Sequence, residues 1–570
     1  MDSIAKSEDI HCKPLWLEKI AADIRVDKLA IKYIYQKENY IINPIIGEYD
    51  IPSNQEQKLL TLPISKNGNA LIYGAPGSGK ENFINTVIYS SMLYYTPEEV
   101  NYYIVEFGSG SLKSFKNYPI VGDIVDSSDE DKLVNLYKMI NKLINERRVL
   151  FEDYNGDYYN YCKNSGFSVP SIVVIINNYE SYQETYSNYD DILVTLSREG
   201  SKYGIYFVIT VNTPNGIRFK LKQNFSIIYS LQQNNNDDYL SILGNVRKTY
   251  PAKIFGRGII KQNDSIYEFQ TANIADLDNI NQFVKQQCEV FSAKYNIKAK
   301  SIPMLPKEVT EKDIMNTITN KHVLAIGVDK NSLDVALLNF KRNFVTLISS
   351  LDLNQITSLV NPLIKQIIAK GDYDLKVINC EEMLVDISNH DKYDYIETNF
   401  DDEFIRMYDF IVSQKRLYEE NDFNKKVLEH DKQSCCIIIG IDTFKNRLSS
   451  DNQKKFGELF EMSKNLGIVN FIFVDTVDKI KKFEYESWYK NSVDNTTGIW
   501  VGNGINDQYT IKTSMRIDDM KRDVPEGFCF VINKGRVKFV KYVSKFNLKN
   551  DTGNENLIDD LEDIEMLEDV

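Results

Sequence analysis

Gly74-Ala75-Pro76-Gly77-Ser78-Gly79-Lys80 is the segment of this chain whose residue types and spacing point most directly to chemistry. It matches G-x-x-x-x-G-K, follows the apolar run Asn69-Ala70-Leu71-Ile72-Tyr73, and leads into a helix expected from Glu81. Glycines at these positions let successive backbone N–H groups curl around phosphate oxygens. The start of a helix favours anions, and a lysine placed there reaches the terminal phosphates. A Gly-rich turn with an exposed lysine is the bland alternative, and the strand–loop–helix context argues against it. The cofactor these residues call for is ATP.

The chemistry beyond binding is incomplete. A hydroxyl should follow the lysine to contact Mg²⁺, and Glu81 stands there instead, so Mg²⁺ binding is expected to be weakened. The apolar run Ile172–Ile176 ends in Asn177-Asn178, where a nucleotide hydrolase carries Asp for the metal shell and Glu to activate water. An amide accepts a hydrogen bond but is no general base near neutral pH. Glu180, two residues further on, is expected to point elsewhere. No catalytic residue and no metal ligand is assigned with this set.

The elements that must hold these residues read as an α/β chain. Tyr102–Phe107, Ser171–Ile176 and Gly204–Val211 have strand character, Glu130–Tyr154 reads as a long amphipathic helix, and a short strand ends at Ile46-Gly47. The grammar then repeats. Ala325-Ile326-Gly327 echoes Ile45-Ile46-Gly47, Asn343–Ser349 echoes the strand before the Gly-rich loop, Cys435–Ile439 echoes Ile172–Ile176, and Gly467-Ile468 echoes Gly204-Ile205. In the second copy Ser349 and Asn354 take the glycine positions, Gln355 the lysine position and Ile356 the hydroxyl position, so no positive charge remains for a triphosphate. Asp442 falls near the expected metal or base position, where a helix cap or a solvated turn is the commoner use of an acid.

Over 570 residues, 43% hydrophobic and 26% charged, the composition is that of a folded protein with more than one core. The formal charge of -14 argues against a nucleic-acid partner. No apolar run has the length of a membrane span, and Met1-Asp2-Ser3 does not begin a signal peptide. The scattered cysteines and the histidines His11, His322, His390 and His430 form no zinc or disulfide pattern, which suits a reducing, cytoplasmic setting. Cys435-Cys436 reads as a pair of buried thiols.

Taken together these motifs resemble the FtsK/SpoIIIE class of P-loop ATPases, and more narrowly the C-terminal ATPase domains of the type VII secretion motor, the EssC/EccC family. The resemblance rests on the phosphate loop and on Lys13-Pro14-Leu15-Trp16-Leu17, Val105-Glu106-Phe107-Gly108, Glu146-Arg147-Arg148, Arg198-Glu199-Gly200 through Tyr206, Lys220 to Phe225, and Gly256-Arg257-Gly258 with Glu268-Phe269-Gln270. It implies two tandem RecA-like P-loop NTPase domains with mostly parallel central sheets. Residues 1–42 would be a lead-in segment, 43–300 the first, catalytically degenerate ATPase-like domain, 301–548 a more degenerate second, and 549–570 an acidic tail. The family's sensor segment appears as Thr210-Val211-Asn212-Thr213-Pro214, which leaves Asn212 as the sensor-like residue without its arginine.

By the same resemblance, the partners are the motor's other ATPase domains and small helical secreted substrates with a C-terminal signal, and the chain is cytoplasmic, membrane-associated through the intact motor. The expected function is nucleotide binding with weak or no hydrolysis in the first domain and signal receiving or regulation in the second. An active ATPase completed by a neighbouring subunit and an FtsK-like DNA translocase are the alternatives. Lys220, Lys222, Arg257 and the tyrosines between Tyr154 and Tyr161 read as solvated-face, turn and packing residues. In the tail, Leu557, Leu561 and Ile564 fall on one face of an acidic helix, which suggests docking on a groove of the second copy.

Overall fold

A computed structural model of the chain describes residues 18–315, 323–339, 343–386, 392–428, 432–508 and 510–547. The Lys13–Leu17 lead-in, the acidic tail from 549 and the four histidines lie outside the described residues. The chain divides into two compact units, Met1–Met304 and Leu305–Val570.

In the first unit, alternation of side chains along buried strands builds one sheet with a core on each face. Ala70 and Ile72 face one core, and Leu71 and Tyr73 face the other. The strands are β1 (Ile45–Ile51), β2 (Glu56–Thr61), β3 (Asn69–Tyr73), β4 (Val100–Glu106), β5 (Val121–Asp126), β6 (Ser171–Asn177), β7 (Ile205–Val211), β8 (Phe225–Leu231), β9 (Arg257–Gln262) and β10 (Ser265–Thr271). Their order is β2-β1-β10-β9-β8-β3-β7-β6-β4-β5. From β8 to β5 every pairing is parallel, whereas β9, β10, β1 and β2 extend the sheet antiparallel. The parallel strands β3, β4, β6 and β7 therefore all release their chain at one edge, where loops can converge.

The second unit repeats this plan strand for strand. Its strands β12 (Val323–Asp329), β13 (Val335–Asn339), β14 (Val345–Ser350), β15 (Tyr373–Asn379), β16 (Asp394–Ile396), β17 (Gln433–Ile439), β18 (Val469–Thr476), β19 (Gly498–Val501), β20 (Phe528–Asn533) and β21 (Arg536–Lys545) run β13-β12-β21-β20-β19-β14-β18-β17-β15-β16. A short β11 (Val309–Thr310) joins β21. Cys435 and Cys436 alternate between the two cores of this sheet, and burial pushes the Cys436 thiol up to about 12.

Most boundaries shift by one or two residues from the sequence reading, and two shift further. The strand expected to end at Gly47 runs on to Ile51, because the pairing of β1 with β2 shifts register between Ile45 and Gly47 and then continues. The equivalent bulge in β12 lies between Ala325 and Gly327. In both copies the glycine lets a neighbouring backbone approach. A Cβ on Gly47 would stand 1.9 Å from the Gln270 carbonyl oxygen, and one on Gly327 2.0 Å from that of Lys541. The long helix ends at Leu150, four residues earlier than expected, and Phe151 then stacks on Tyr161 at 4.7 Å to close the core beneath it. Gly47→Ala and Gly327→Ala should each destabilise the unit that carries them by about 3 kcal/mol, read from denaturant unfolding.

Candidate nucleotide site

The loop after β3 has the shape its sequence calls for. Gly77 and Gly79 take φ values of 77° and 103°, which only glycine adopts without strain, and the helix Lys80–Tyr94 starts directly behind them. Lys80 Nζ donates to the carbonyls of Gly74, at 2.5 Å, and Ala75, at 3.1 Å, so the ammonium spans the mouth of the loop. Burial pulls Lys80 below the ordinary lysine value, and the charges of Glu180 and Glu81 oppose that shift. Ser78 Oγ is buried there without a partner.

The residues at the metal and water-activating positions are all engaged with the protein itself. Glu81 accepts from Ser109 N at 3.0 Å, Ser109 Oγ at 2.8 Å and Ser111 Oγ at 2.9 Å. Burial pushes its carboxyl up, but these hydrogen bonds outweigh burial and hold it below the usual range. Asn177 Nδ2 donates to Glu106 Oε1 at 3.1 Å, and Asn177 Oδ1 accepts from Thr210 Oγ1 at 2.8 Å. Burial raises the Glu106 carboxyl, aided by the Glu81 charge and opposed by Asn177 and the Gly108 N–H. Asn178 donates its side-chain amide to Phe107 O and Ser181 Oγ and accepts from Asn212 Nδ2 at 3.0 Å. These residues do not fit the usual Mg²⁺ shell, since the amide turns N–H groups toward the carboxylates. Among the described residues no group of three or more His, Cys, Asp or Glu side chains could hold a metal.

The structure shows where Glu180 goes. Asn178 takes the left-handed conformation, φ 63° and ψ 71°, and caps the helix Tyr179–Tyr186, so the chain turns back over the strand ends. Glu180, in the first turn, accepts the N–H groups of Asn212 at 2.7 Å and Thr213 at 3.0 Å. Its charge acts on Lys80, and its Oε2 is buried without a partner. Spacing along the sequence hides this, because the turn at Asn178 is visible only in the backbone. Asn212, the sensor-like residue, donates its side-chain amide to Asn178 Oδ1 at 3.0 Å.

Arg257 closes a turn, its N–H donating to the Ile254 carbonyl at 3.0 Å, and its side chain is buried. It begins β9, is 3% exposed, and donates to Gln270 Oε1 and to the Ile20 carbonyl, each at 2.8 Å. Lys222 lies over the Tyr73 ring, and Tyr158 and Tyr161 are core residues.

In the second unit the corresponding loop is closed by its own side chains. Ser349 Oγ donates to the Asp475 carbonyl at 2.8 Å, and the Asp352 carboxylate accepts the Asn354 N–H at 3.0 Å, capping the short helix Leu353–Ile356. Gln355 Oε1 approaches Gly502 closely enough that a Cβ there would stand 2.1 Å away. Gly440, φ 80°, takes the left-handed position of Asn178, which makes Asp442 the counterpart of Glu180 and not of the metal or base position. Asp442 pairs with Lys482.

Two outcomes follow from these geometries. Asn178→Glu should cost about 1–2 kcal/mol in unfolding free energy, because a longer side chain must hold the left-handed backbone and the amide bonds are lost. Asp475 is buried at the end of β18, and burial pushes its carboxyl up to about 6 from 3.8. A carboxyl raised in the folded chain contributes stability that is full below its unfolded value and is lost as pH rises through the folded one. Relative to Asp475→Asn, which does not titrate, the wild-type second unit should gain about 2–3 kcal/mol between pH 7 and pH 4, read from denaturant melts.

Comparison with known proteins agrees with this architecture. Residues 32–175 match the model of the FtsK/SpoIIIE family. The type VII secretion system protein EssC of Staphylococcus aureus (strain MRSA252) is 23% identical over 92% of this chain and 36% of its own length. The ESX secretion system protein EccC of Geobacillus thermodenitrificans (strain NG80-2) is 24% identical over 62% of this chain and 24% of its own. The chain thus spans little more than a third of these relatives at most. Among solved structures, ATPases 2 and 3 of Geobacillus thermodenitrificans EssC superpose with a TM-score of 0.73 at 19% identity, covering 94% of this chain and 100% of that one. The cytoplasmic domain of EssC gives 0.68 at 18% identity over 88% of this chain and 99% of that one. The chain carries an FtsK/SpoIIIE segment and is homologous to the EssC/EccC ATPases of type VII secretion, folded as a tandem pair of ATPase-type α/β units.

Proposed function

We propose that this chain is a C-terminal ATPase-like segment of a type VII secretion motor, in which the first unit holds ATP and turns it over weakly or not at all. The observation that carries this reading is the contrast at one sheet edge. The loop Gly74–Lys80 keeps its backbone cradle and its lysine, while Glu81, Asn177, Asn178 and Asn212 are engaged by protein donors and acceptors. Nucleotide then acts as a structural ligand that adds stability to the unit by mass action.

The second unit, without a lysine and with Asp352 in its loop, is assigned to receiving the C-terminal signal of a small helical substrate, or to regulation. One solved structure shows Thermomonospora curvata EccC (ATPases 2 and 3) in complex with a signal sequence peptide, with a TM-score of 0.53 to this chain. Support from this chain is a cavity of about 450 Å³ in the second unit, with Leu375, Phe410 and Phe471 inside and Arg406 and Lys432 among its lining. An amphipathic helix suits such a surface. The cavity lies at the first residues of β15 and β18, the end of the strands opposite the vestigial loop.

A second reading, an ATPase whose base is rebuilt, has Glu180 in its favour, since that carboxylate acts on Lys80 and keeps one buried oxygen without a partner. Calorimetric titration and a phosphate-release assay separate the two. The first reading expects ATP to bind with little dependence on Mg²⁺, Lys80→Ala to weaken it at least tenfold, and phosphate release to stay near the uncatalysed rate. Turnover that Glu180→Gln lowers more than tenfold would establish the second reading. Saturable ATP binding that survives Lys80→Ala would remove the loop from either.

A further inference from the structure

We infer that Phe255 is the platform on which the nucleobase stacks, a reading that rests on nucleotide binding at Gly74–Lys80. The phosphate loop follows β3, and the two sides of β3 differ in kind. Toward β7, β6 and β4 stand Glu180, Asn178, Asn177 and Glu106, the side on which a terminal phosphate and its chemistry belong. The nucleoside must leave on the other side, toward β8 and β9, where Glu180 and Glu106 do not line the way.

On that side the chain between the helix Asn236–Leu243 and β9 is strapped to the loop. Ala75 N–H donates to the Gln232 carbonyl at 2.8 Å, and Gly256 N–H donates to the Ser78 carbonyl at 3.1 Å. Gln232 Nε2 holds the carbonyls of Ala252 and Ile254, and Gln270 Nε2 holds that of Phe255 at 2.9 Å. Backbone on both sides of Phe255 is thus fixed. The ring nevertheless is 42% exposed, joins neither core of the first unit, and brings Cε2 to 3.5 Å from where a Cβ on Gly79 would stand.

A single exposed aromatic is ordinary on a protein surface. One carried on a rigid strut against the last glycine of a phosphate loop is placed to receive a flat, apolar face. Stacking on an aromatic ring tolerates every base, because each presents a π-face. The Nε2 groups of Gln232 and Gln270 are occupied by backbone carbonyls, and Gln270 Oε1 by Arg257, so these groups do not read a base edge. The platform therefore accepts adenine and guanine alike.

The test is calorimetric titration of the full chain and its Phe255→Ala, Phe255→Trp and Lys80→Ala variants with ATP, GTP and inorganic tripolyphosphate. Phe255→Ala should weaken ATP and GTP about tenfold and leave tripolyphosphate within twofold, while Phe255→Trp retains affinity and its fluorescence is quenched on ATP binding. ATP and GTP should agree within about threefold on the wild type. If Phe255→Ala binds ATP as the wild type does, or loses ATP and tripolyphosphate equally, the platform is wrong and the loop assignment stands. A wild type that binds tripolyphosphate as tightly as ATP has the same meaning. If the wild type binds neither, the loop assignment fails and takes the platform with it.

Discussion

The Asn177 amide nitrogen lies 3.1 Å from Glu106 Oε1 and faces Glu81 across Gly108, so one neutral donor separates two acidic side chains. A Cβ on Gly108 would stand 2.4 Å from that nitrogen, 2.8 Å from Glu81 Oε1 and 2.9 Å from Glu106 Oε1, which shows how tightly the three converge. An aspartate at 177 would add a third negative charge to this spot, at a cost on the order of a few kcal/mol for charges a few ångströms apart. Glu81 after the lysine and Asn177 at the strand end are therefore coupled departures. The acid here stands at the start of the helix and the amide at the end of β6, and the amide makes the nearness of Glu81 and Glu106 tolerable.

The rest of the first site follows from satisfying that arrangement. Thr210 Oγ1 accepts from Asn178 N and donates to Asn177 Oδ1, so the ends of β6 and β7 are joined through one hydroxyl. Glu180 then ties the helix after β6 to the segment after β7 through two N–H groups. Breaking any of these bonds would strand a further buried polar group at a cost in free energy, so the bonded members hold one another in place. Rigidity of this kind suits a site that holds a ligand. It suits poorly a site that must rearrange water and metal during a reaction cycle.

The second unit shows what the same fold does without that constraint. Its strands keep the order of the first, its glycine bulge recurs at Gly327, and its left-handed turn recurs as Gly440. Its loop edge has been taken over by local capping and ion pairs, Asp352 with Asn354 N and Asp442 with Lys482. The fold is maintained by its apolar cores, which depend on strand alternation and are indifferent to the loops at the edge.

Much of this was legible in residue order alone. The glycine and lysine spacing, the apolar runs, the repeated Ile-Gly and Ala-Ile-Gly segments and the loss of charge at Gln355 are local patterns, and local patterns determine which elements form and that there are two copies of them. What the order of residues left open was direction. Glu180 was expected to point elsewhere than Asn177 and Asn178, and the left-handed Asn178 sets it on the N–H groups of Asn212 and Thr213, where its charge acts on Lys80. Arg257 read as a turn residue, and it does follow a turn, but only the pairing of β9 with β10 shows that its side chain is buried against Gln270. Phe255 carried no sequence signal, and the strap from Gly256 to Ser78 set it beside the phosphate loop. Side-chain identity and periodicity are written along one dimension. Which groups meet is decided by strand order and by single backbone turns, which bring together residues separated by dozens or hundreds of positions.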